Sequence, residues 1–445
     1  MKVVMKTACV LIGALWGQQV WAAQPVVLTL NQAQETALAH NQMLKAARAG
    51  VDQARAVKLQ TWSGYLPSIS VSEGVTRSND AVHAFGVKLK QERFSQADFA
   101  VSALNYPQEI TNFQTKLEVT QPLFNGGQAF YGRRQAQAGV KIAQSELDRS
   151  VLQVRFQTAQ AYWGVVFSQE ALQAVQQGLE TALAFERVAE ARFREETVGL
   201  TDLLAAKVRV AELNGEKIAA QNRVDEAIDG LALVLGMEMG TLFSLADQLV
   251  RKPVPEPSES FIARAMVLRP DLAGVRAQME ATSQNVGVAR AAMLPHVNAF
   301  AEVALDSDEL FARKGEGWTT GVVLTWDLFD GGKMVGAFKE ARAKREAARA
   351  MAQFKTTDVV REVRAAFRQA QAANAQVDRA EEALNYAQER LRIVLLQYQE
   401  GLATATDLLG AESELRHAKV RKAAALQGLN INLSELEFVV GEIVK

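Results

Sequence analysis

Gln121-Pro122-Leu123-Phe124-Asn125-Gly126-Gly127 and Trp326-Asp327-Leu328-Phe329-Asp330-Gly331-Gly332 are one heptapeptide pattern written twice, 326 − 121 = 205 residues apart. The same offset links Thr201-Asp202-Leu203-Leu204 to Thr406-Asp407-Leu408-Leu409, and Leu231 to Gly236 with Leu436 to Gly441. Three blocks at one offset mark an internal repeat. Upstream, Leu66-Pro67 matches Leu294-Pro295 at 228, so the first copy carries 228 − 205 = 23 extra residues between Pro67 and Pro122. The chain reads as two structural repeats, residues 23–237 and 261–445, joined by a linker over 238–260. Pro253, Pro255 and Pro257 suit a stiff extended connection there.

Proline placement says what each repeat can contain. All 9 prolines lie outside residues 123–252 and 296–445, so both stretches can be helical. The expected order in each repeat is helix, strand pair, very long helix, helix. First helices start near Asn31 and Ser258 and end before Pro67 and Pro295. Four runs alternate with period two: about 68–77, 111–124, 295–305 and 318–329. Phe113, Thr115, Leu117 and Val119 share one face, opposite Asn112, Gln114, Lys116 and Glu118. Trp318, Val322 and Leu324 repeat that pattern, with Asp327 on the other side. Each run is about ten residues, the length of a membrane-spanning strand. Four strands cannot close a barrel alone, so several chains must contribute. Half-buried strands of a soluble sheet would alternate in the same way.

Beyond the glycine pairs lie Ala-, Gln-, Glu- and Arg-rich stretches, read as long helices over 128–196 and 333–399, followed by helices over 201–237 and 404–441. Nearly 70 residues at about 1.5 Å each make a rod of roughly 100 Å. Val151, Val154, Ala161, Val165, Ala171 and Val175, and Val359, Val363, Ala366, Ala370, Ala373 and Val377, form Ala-rich seams for side-by-side packing.

Residues 1–22 read as a signal peptide: Lys2 and Lys6, an apolar run from Thr7 to Trp16, and a small-residue site at Ala22-Ala23. Its removal takes away Cys9, the only cysteine, and leaves 47 − 50 = −3 in formal charge. Thiol chemistry and disulfides are then excluded. The charge balance offers no footprint for nucleic acid. No later run of 18 apolar residues is present, so a spanning helix is not expected, which leaves the β-barrel as the way across a membrane. The 4 histidines are scattered at 40, 83, 296 and 417, and no metalloprotease, phosphate-loop or serine-hydrolase motif occurs. No enzyme activity, metal or cofactor is indicated.

Together, the doubled Leu-Phe-Asn/Asp-Gly-Gly junction, the doubled Asp-Leu-Leu and the strand pairs between long helices resemble the TolC-like outer membrane efflux factor family, from about Leu30 to Gly441. The resemblance implies an α-helical barrel joined to a transmembrane β-barrel, a trimeric tube with 3 × 4 = 12 strands, and a helical tunnel in the periplasm. It implies an outer membrane exit duct of an efflux or type I secretion system. The implied partners are two further copies of the chain, a periplasmic adaptor, an inner-membrane transporter and outer-membrane lipid.

The resemblance also assigns sites. Pro67, Pro122, Gly126, Gly127, Pro295, Gly331 and Gly332 are the strand–helix junctions. Val198, Gly199, Leu200 and Thr201, with Gly401 and Leu402, are adaptor-docking tips. At the offset of 205, however, the partner of Gly401 is Glu196, not Gly199. Tyr398, Asp407 and Asp202 belong to a periplasmic gate. Tyr398, Gly401 and Asp407 match the family's gating segment, whereas Ala403 stands where it has an arginine and Gly410 where it has a second aspartate. Three copies of Asp407 around one axis would attract cations, and their repulsion would raise an apparent pKa. Asp407 and Asp202 could instead cap helices. The competing class is an exported periplasmic adaptor or stalk, which would share the helices but leave the strand pairs unexplained. A porin-like uptake channel would leave the long helices unexplained.

Overall fold

A computed structural model describes residues 26–254 and 258–442. The expected leader and residues 255–257 of the linker lie outside the described residues. In chain order the elements are β1 (Val26–Leu28), α1 (Leu30–His40), α2 (Gln42–Gln60), β2 (Ser68–Ser78), α3 (Ala81–Lys90), α4 (Val101–Asn105), β3 (Ile110–Asn125), α5 (Gln128–Arg194) and α6 (Leu200–Leu235). Then come β4 (Phe243–Leu245), α7 (Ser258–Leu268), α8 (Pro270–Ala291), β5 (His296–Ser307), β6 (Glu316–Thr325), α9 (Lys333–Gln399) and α10 (Ala405–Val440). α5 and α9 are both 67 residues long, and α6 and α10 both 36. α5 runs beside α6, α8 and α10, while α9 runs beside α10 and α8. Among the described residues no helix is long and apolar enough to cross a membrane.

Both long helices start from the glycine pairs. Gly126 and Gly127 have φ of +61° and +88°, Gly331 and Gly332 of +72° and +91°. These left-handed angles let the chain turn sharply into a helix, directly from β3 at the first pair and after residues 326–330 at the second. The residue before each pair supplies the missing cap: Asn125 Oδ1 accepts from the Ala129 amide (3.3 Å), and Asp330 Oδ2 from the Met334 amide (2.8 Å). Gly126 is also needed for space, since a Cβ there would lie 2.5 Å from the Ala291 carbonyl oxygen.

The main sheet has the order β2-β3-β5-β6, antiparallel throughout, with β2 and β6 as its edges. The register aligns Val71, Leu117, Val303 and Trp318 in one row, and Ile69, Val119, Ala301 and Thr320 in the next. Side chains alternate between faces, so odd-numbered residues of β2, β3 and β5 share one face with even-numbered residues of β6. That face is apolar, and Ile69, Val71, Val75, Val322 and Leu324 are each more than 60% exposed on it. The even face carries Lys116 bridged to Glu302 (2.8 Å) and Glu118 (3.0 Å).

Several expectations need correction. The fourth strand, expected over 318–329, spans Glu316–Thr325; Trp326 to Phe329 leave the sheet, and Asp327 is not a strand residue. The Trp326 indole N–H instead donates to the Met293 carbonyl (3.2 Å), tying the strand's end to the turn between α8 and β5. The third strand, expected over 295–305, runs on to Ser307, which leaves a short loop of residues 308–315 before β6. Each first helix is broken in two, at Asn41 and at Arg269. α1 starts at Leu30, near Asn31 as expected, with Thr29 as its cap, and Asn41 caps α2 through the Met43 amide (2.9 Å). The linker is not merely extended: β4 pairs in parallel with β1.

The breaks explain themselves by what they touch. The Asn41 amide donates to the Val234 carbonyl (2.8 Å), and the Arg269 guanidinium to the Val439 carbonyl (3.2 Å), 205 residues further on. Each break thus ties a first helix to the C-terminal turn of a 36-residue helix. Around these ties lie two cores. One gathers Leu44, Tyr162, Trp163, Leu231, Leu235, Phe243 and Leu429; the other gathers Phe261, Leu272, Val359, Val363, Leu436 and Val440.

Candidate functional site: the helical tip

α5–α6 and α9–α10 are two helical hairpins whose turns lie at one end of the molecule. Both turns have the same hydrogen bonds. The Thr197 amide donates to the Arg192 carbonyl (2.9 Å), and the Leu402 amide to the Gln397 carbonyl (2.8 Å), so each long helix closes with a bond from C″ back to C3. The left-handed position is Gly401 (φ +75°) in one turn and Glu196 (φ +56°) in the other. The offset of 205 therefore holds through the turn, and Glu196, not Gly199, is the structural partner of Gly401. Gly199 corresponds to Thr404: both are extended N-caps, with φ, ψ of −77°, 160° and −87°, 163°.

The two caps differ in chemistry. Thr404 and Asp407 form a reciprocal box. The Asp407 amide donates to Thr404 Oγ1 (3.2 Å), while the Thr404 amide (3.0 Å) and hydroxyl (2.6 Å) donate to Asp407 Oδ2. Those donors hold the Asp407 carboxyl below its usual range, with a smaller contribution from the Arg390 charge. Within one chain the shift is therefore downward, opposite to the rise expected from a ring. Asp202 sits in the first turn of α6, where Gly199 offers no side-chain cap. It makes no capping box.

Tyr398 is buried against both hairpins. Its ring centroid lies 5.4 Å from that of Phe185 on α5, and the Arg192 guanidinium sits 5.3 Å from the ring centre. Ala189, Leu203, Ala206, Ala405 and Leu408 complete this tip core. The Tyr398 hydroxyl is buried without a hydrogen-bond partner. Beside it an apolar cavity of about 340 Å³ runs between α5, α9 and α10. On the outside of the turns, Leu200 and Leu402 are 54% and 80% exposed. Gly199 and Thr201 are exposed with them, and Val198 is half-buried.

Sequence reading missed the charged pairs behind the tip. Glu412 and Arg416 of α10 are buried. Glu412 faces Arg209 of α6 (3.4 Å), and Arg416 pairs with Glu216 of α6 (2.7 Å). Gly178 of α5 makes room: a Cβ there would lie 2.8 Å from Glu412 Oε1. No local pattern could have revealed pairs about 200 residues apart in the chain.

Comparison with known proteins agrees with this architecture. The outer membrane efflux protein family model matches residues 33–237 and 261–442. Among curated relatives, the alkaline protease secretion protein AprF of Pseudomonas aeruginosa is 21% identical over 339 residues, covering 75% of this chain and 70% of that protein. Outer membrane protein TolC of Salmonella enteritidis is 21% identical over 425 residues, 93% of this chain and 82% of that protein. Among solved structures, the Campylobacter jejuni CmeC outer membrane channel superposes with a TM-score of 0.79 at 19% identity, covering 93% of this chain and 85% of that one. The outer membrane protein VceC of Vibrio cholerae gives 0.74 at 21% identity, covering 93% and 96%. A periplasmic adaptor or stalk is not the reading these matches support: the chain belongs to the outer membrane efflux protein family.

Proposed function

We propose that three copies of this outer membrane efflux protein close into one tube, a passive exit duct whose strands cross the outer membrane and whose helices reach into the periplasm. The observation that carries the reading is the sheet: one apolar face, one polar face and two long unpaired edges. Such edges invite pairing. β2 and β6 run antiparallel to their neighbours, so the β6 edge of one copy fits the β2 edge of the next without breaking the alternation. Three copies make 3 × 4 = 12 strands, apolar outward and polar inward. Trp318, Trp326, Phe124 and Phe329, all exposed, would then meet the two membrane interfaces.

The tip is the periplasmic gate. Tyr398 packs α9 onto α5, and Arg209–Glu412 and Arg416–Glu216 tie α10 to α6, so opening must separate these hairpins. The unpaired Tyr398 hydroxyl makes the closed packing less stable than it could be. Asp407, in three copies, is the acidic ring at the axis, with Asp202 on the neighbouring hairpin. Leu200 and Leu402 at the exposed turns are where a periplasmic adaptor docks, linking the duct to an inner-membrane transporter, as in the tripartite systems of related efflux channels.

The test is fractionation followed by mass measurement in detergent. The protein should require detergent, stay with outer membranes and run as a trimer. A monomer released with the soluble periplasm would overturn the reading. A photo-cross-linker placed at Leu402 in cells should capture an adaptor; a tube that assembles normally without such a product would remove the docking role.

A further inference from the structure

The segment between β2 and β3 does not extend away from the sheet. It folds back as α3 and α4, and what α3 touches is the polar face. Gln91, just after α3, is 1% exposed, and its side-chain amide reaches Asn112 Oδ1 (2.9 Å), the Thr111 carbonyl (2.9 Å) and the Ser307 carbonyl (3.0 Å). Asn112 and Gln114 in turn both donate to Asp306 Oδ1. Asn112, Gln114 and Asp306 are all even-numbered, on the face that carries Lys116, Glu118 and Glu302. Ala84 and Val87 of α3 pack on Ile110 of the same parity.

The contact is built on several elements. Arg93 pairs with Asp308 (3.3 Å) and Lys88 with Asp98 (2.6 Å). Gly315, before β6, has φ +49°, and a Cβ there would lie 1.5 Å from the Lys90 carbonyl oxygen. Only glycine lets the β5–β6 loop close on the end of α3. Phe85, Phe94 and Phe99 stack edge to face, at 4.8 and 5.1 Å, and hold the remainder of the segment together. A buried polar network whose members all find partners specifies one arrangement.

We propose that residues 79–109 form a plug across the outer mouth of the barrel, a constriction in series with the helical tip. The proposal rests on the polar face being the barrel interior. Twelve strands spaced about 4.8 Å and tilted about 40° give a circumference near 75 Å and a diameter of roughly 24 Å between backbones, and inward side chains of about 5 Å per side leave a bore of roughly 14 Å. Three helices, each about 10 Å across, packed around one axis span roughly 22 Å, so three copies of the segment are enough to cover that bore at its mouth. The occupants of the remaining surface are the other two copies of the plug. Away from the sheet, Val82, Val101 and Tyr106 are 82%, 72% and 85% exposed, and three-fold symmetry would bring these apolar side chains together.

Single-channel conductance of the purified protein in a planar bilayer tests this. Two constrictions in series mean that relieving one leaves the other limiting. Tyr398→Ala, which loosens the tip, should raise conductance only partly. Adding either a short Gly-Ser replacement of residues 80–108 or the milder Gln91→Ala should at least double it again. If channels insert and neither addition changes conductance in the Tyr398→Ala background, the plug is refuted and the barrel stands. If no variant, nor the native protein, gives conductance steps, the barrel reading fails and the plug with it.

Discussion

Glu196 carries the backbone strain that Gly401 avoids. A side chain in the left-handed region costs about 1 kcal/mol or slightly more, and nothing in the turn requires one there. Glu196→Gly should therefore stabilise the tip by about 1 kcal/mol, read as an upward shift of the thermal unfolding midpoint; an unchanged or lower midpoint would contradict the matched geometry of the two turns. Asp271, at the break before α8, has the opposite character. Burial pushes its carboxyl up, but the Arg269 hydrogen bond and the charges of Arg269, Arg149 and Lys355 outweigh burial and hold it at about 2, against an ordinary 3.8. A depressed carboxyl stabilises the fold above its unfolded pKa, and that stability is lost as pH falls through the folded value. The difference corresponds to about 2 kcal/mol, present above about pH 5 and gone near pH 2. Denaturant titrations at both pH values should show this loss, and Asp271→Asn should be less stable at neutral pH and lose less on acidification. Arg269 is 4% exposed and also meets Glu362, so the site is a charge cluster rather than a single pair.

At the scale of the element, the strands separate their faces residue by residue. Val322 belongs to the apolar row and Val323 to the polar one, although the two valines look alike in the sequence. Arg at Val322 should cost about 2–4 kcal/mol near the bilayer midplane and should reduce assembled protein in the outer membrane. Arg at Val323, one step along, faces the water-filled side and should be tolerated. Equal effects at the two positions would show that the sheet does not divide lipid from water. The heptad seams of the long helices were legible for a related reason. Val154, Val165, Val359, Val363, Ala370 and Val377 are buried as their spacing required, because helical periodicity is local. The breaks at Asn41 and Arg269 were not legible, because each is stabilised by a carbonyl about 170 to 190 residues away.

For the whole molecule, ion selectivity is the property that separates a gate from a cap. Asp407 is held by Thr404 in each chain, and Asn at that position still offers a carbonyl oxygen to the Thr404 amide while removing the charge. Asp407→Asn should therefore leave the tube assembled and lower its preference for cations in a planar bilayer. Unchanged selectivity would leave Asp407 as a helix cap only and move the gate to the Arg209–Glu412 and Arg416–Glu216 pairs.

The sequence by itself determined the repeat, the four strands, the two long helices and the junctions between them. Each depends on residues close together in the chain: a proline-free run, a period of two, an Asn or Asp before two glycines. Only the tertiary structure decided which residue in the first tip turn takes the left-handed angle, that Thr404 rather than a ring of charge sets the surroundings of Asp407 within a chain, and that residues 79–109 fold onto the polar face. The first two are local geometries between which the sequence left alternatives open; the third depends on contacts between distant segments. Gln91 could be assigned to Asn112 and Ser307 only once β3 and β5 lay side by side in register, and no periodicity encodes that meeting.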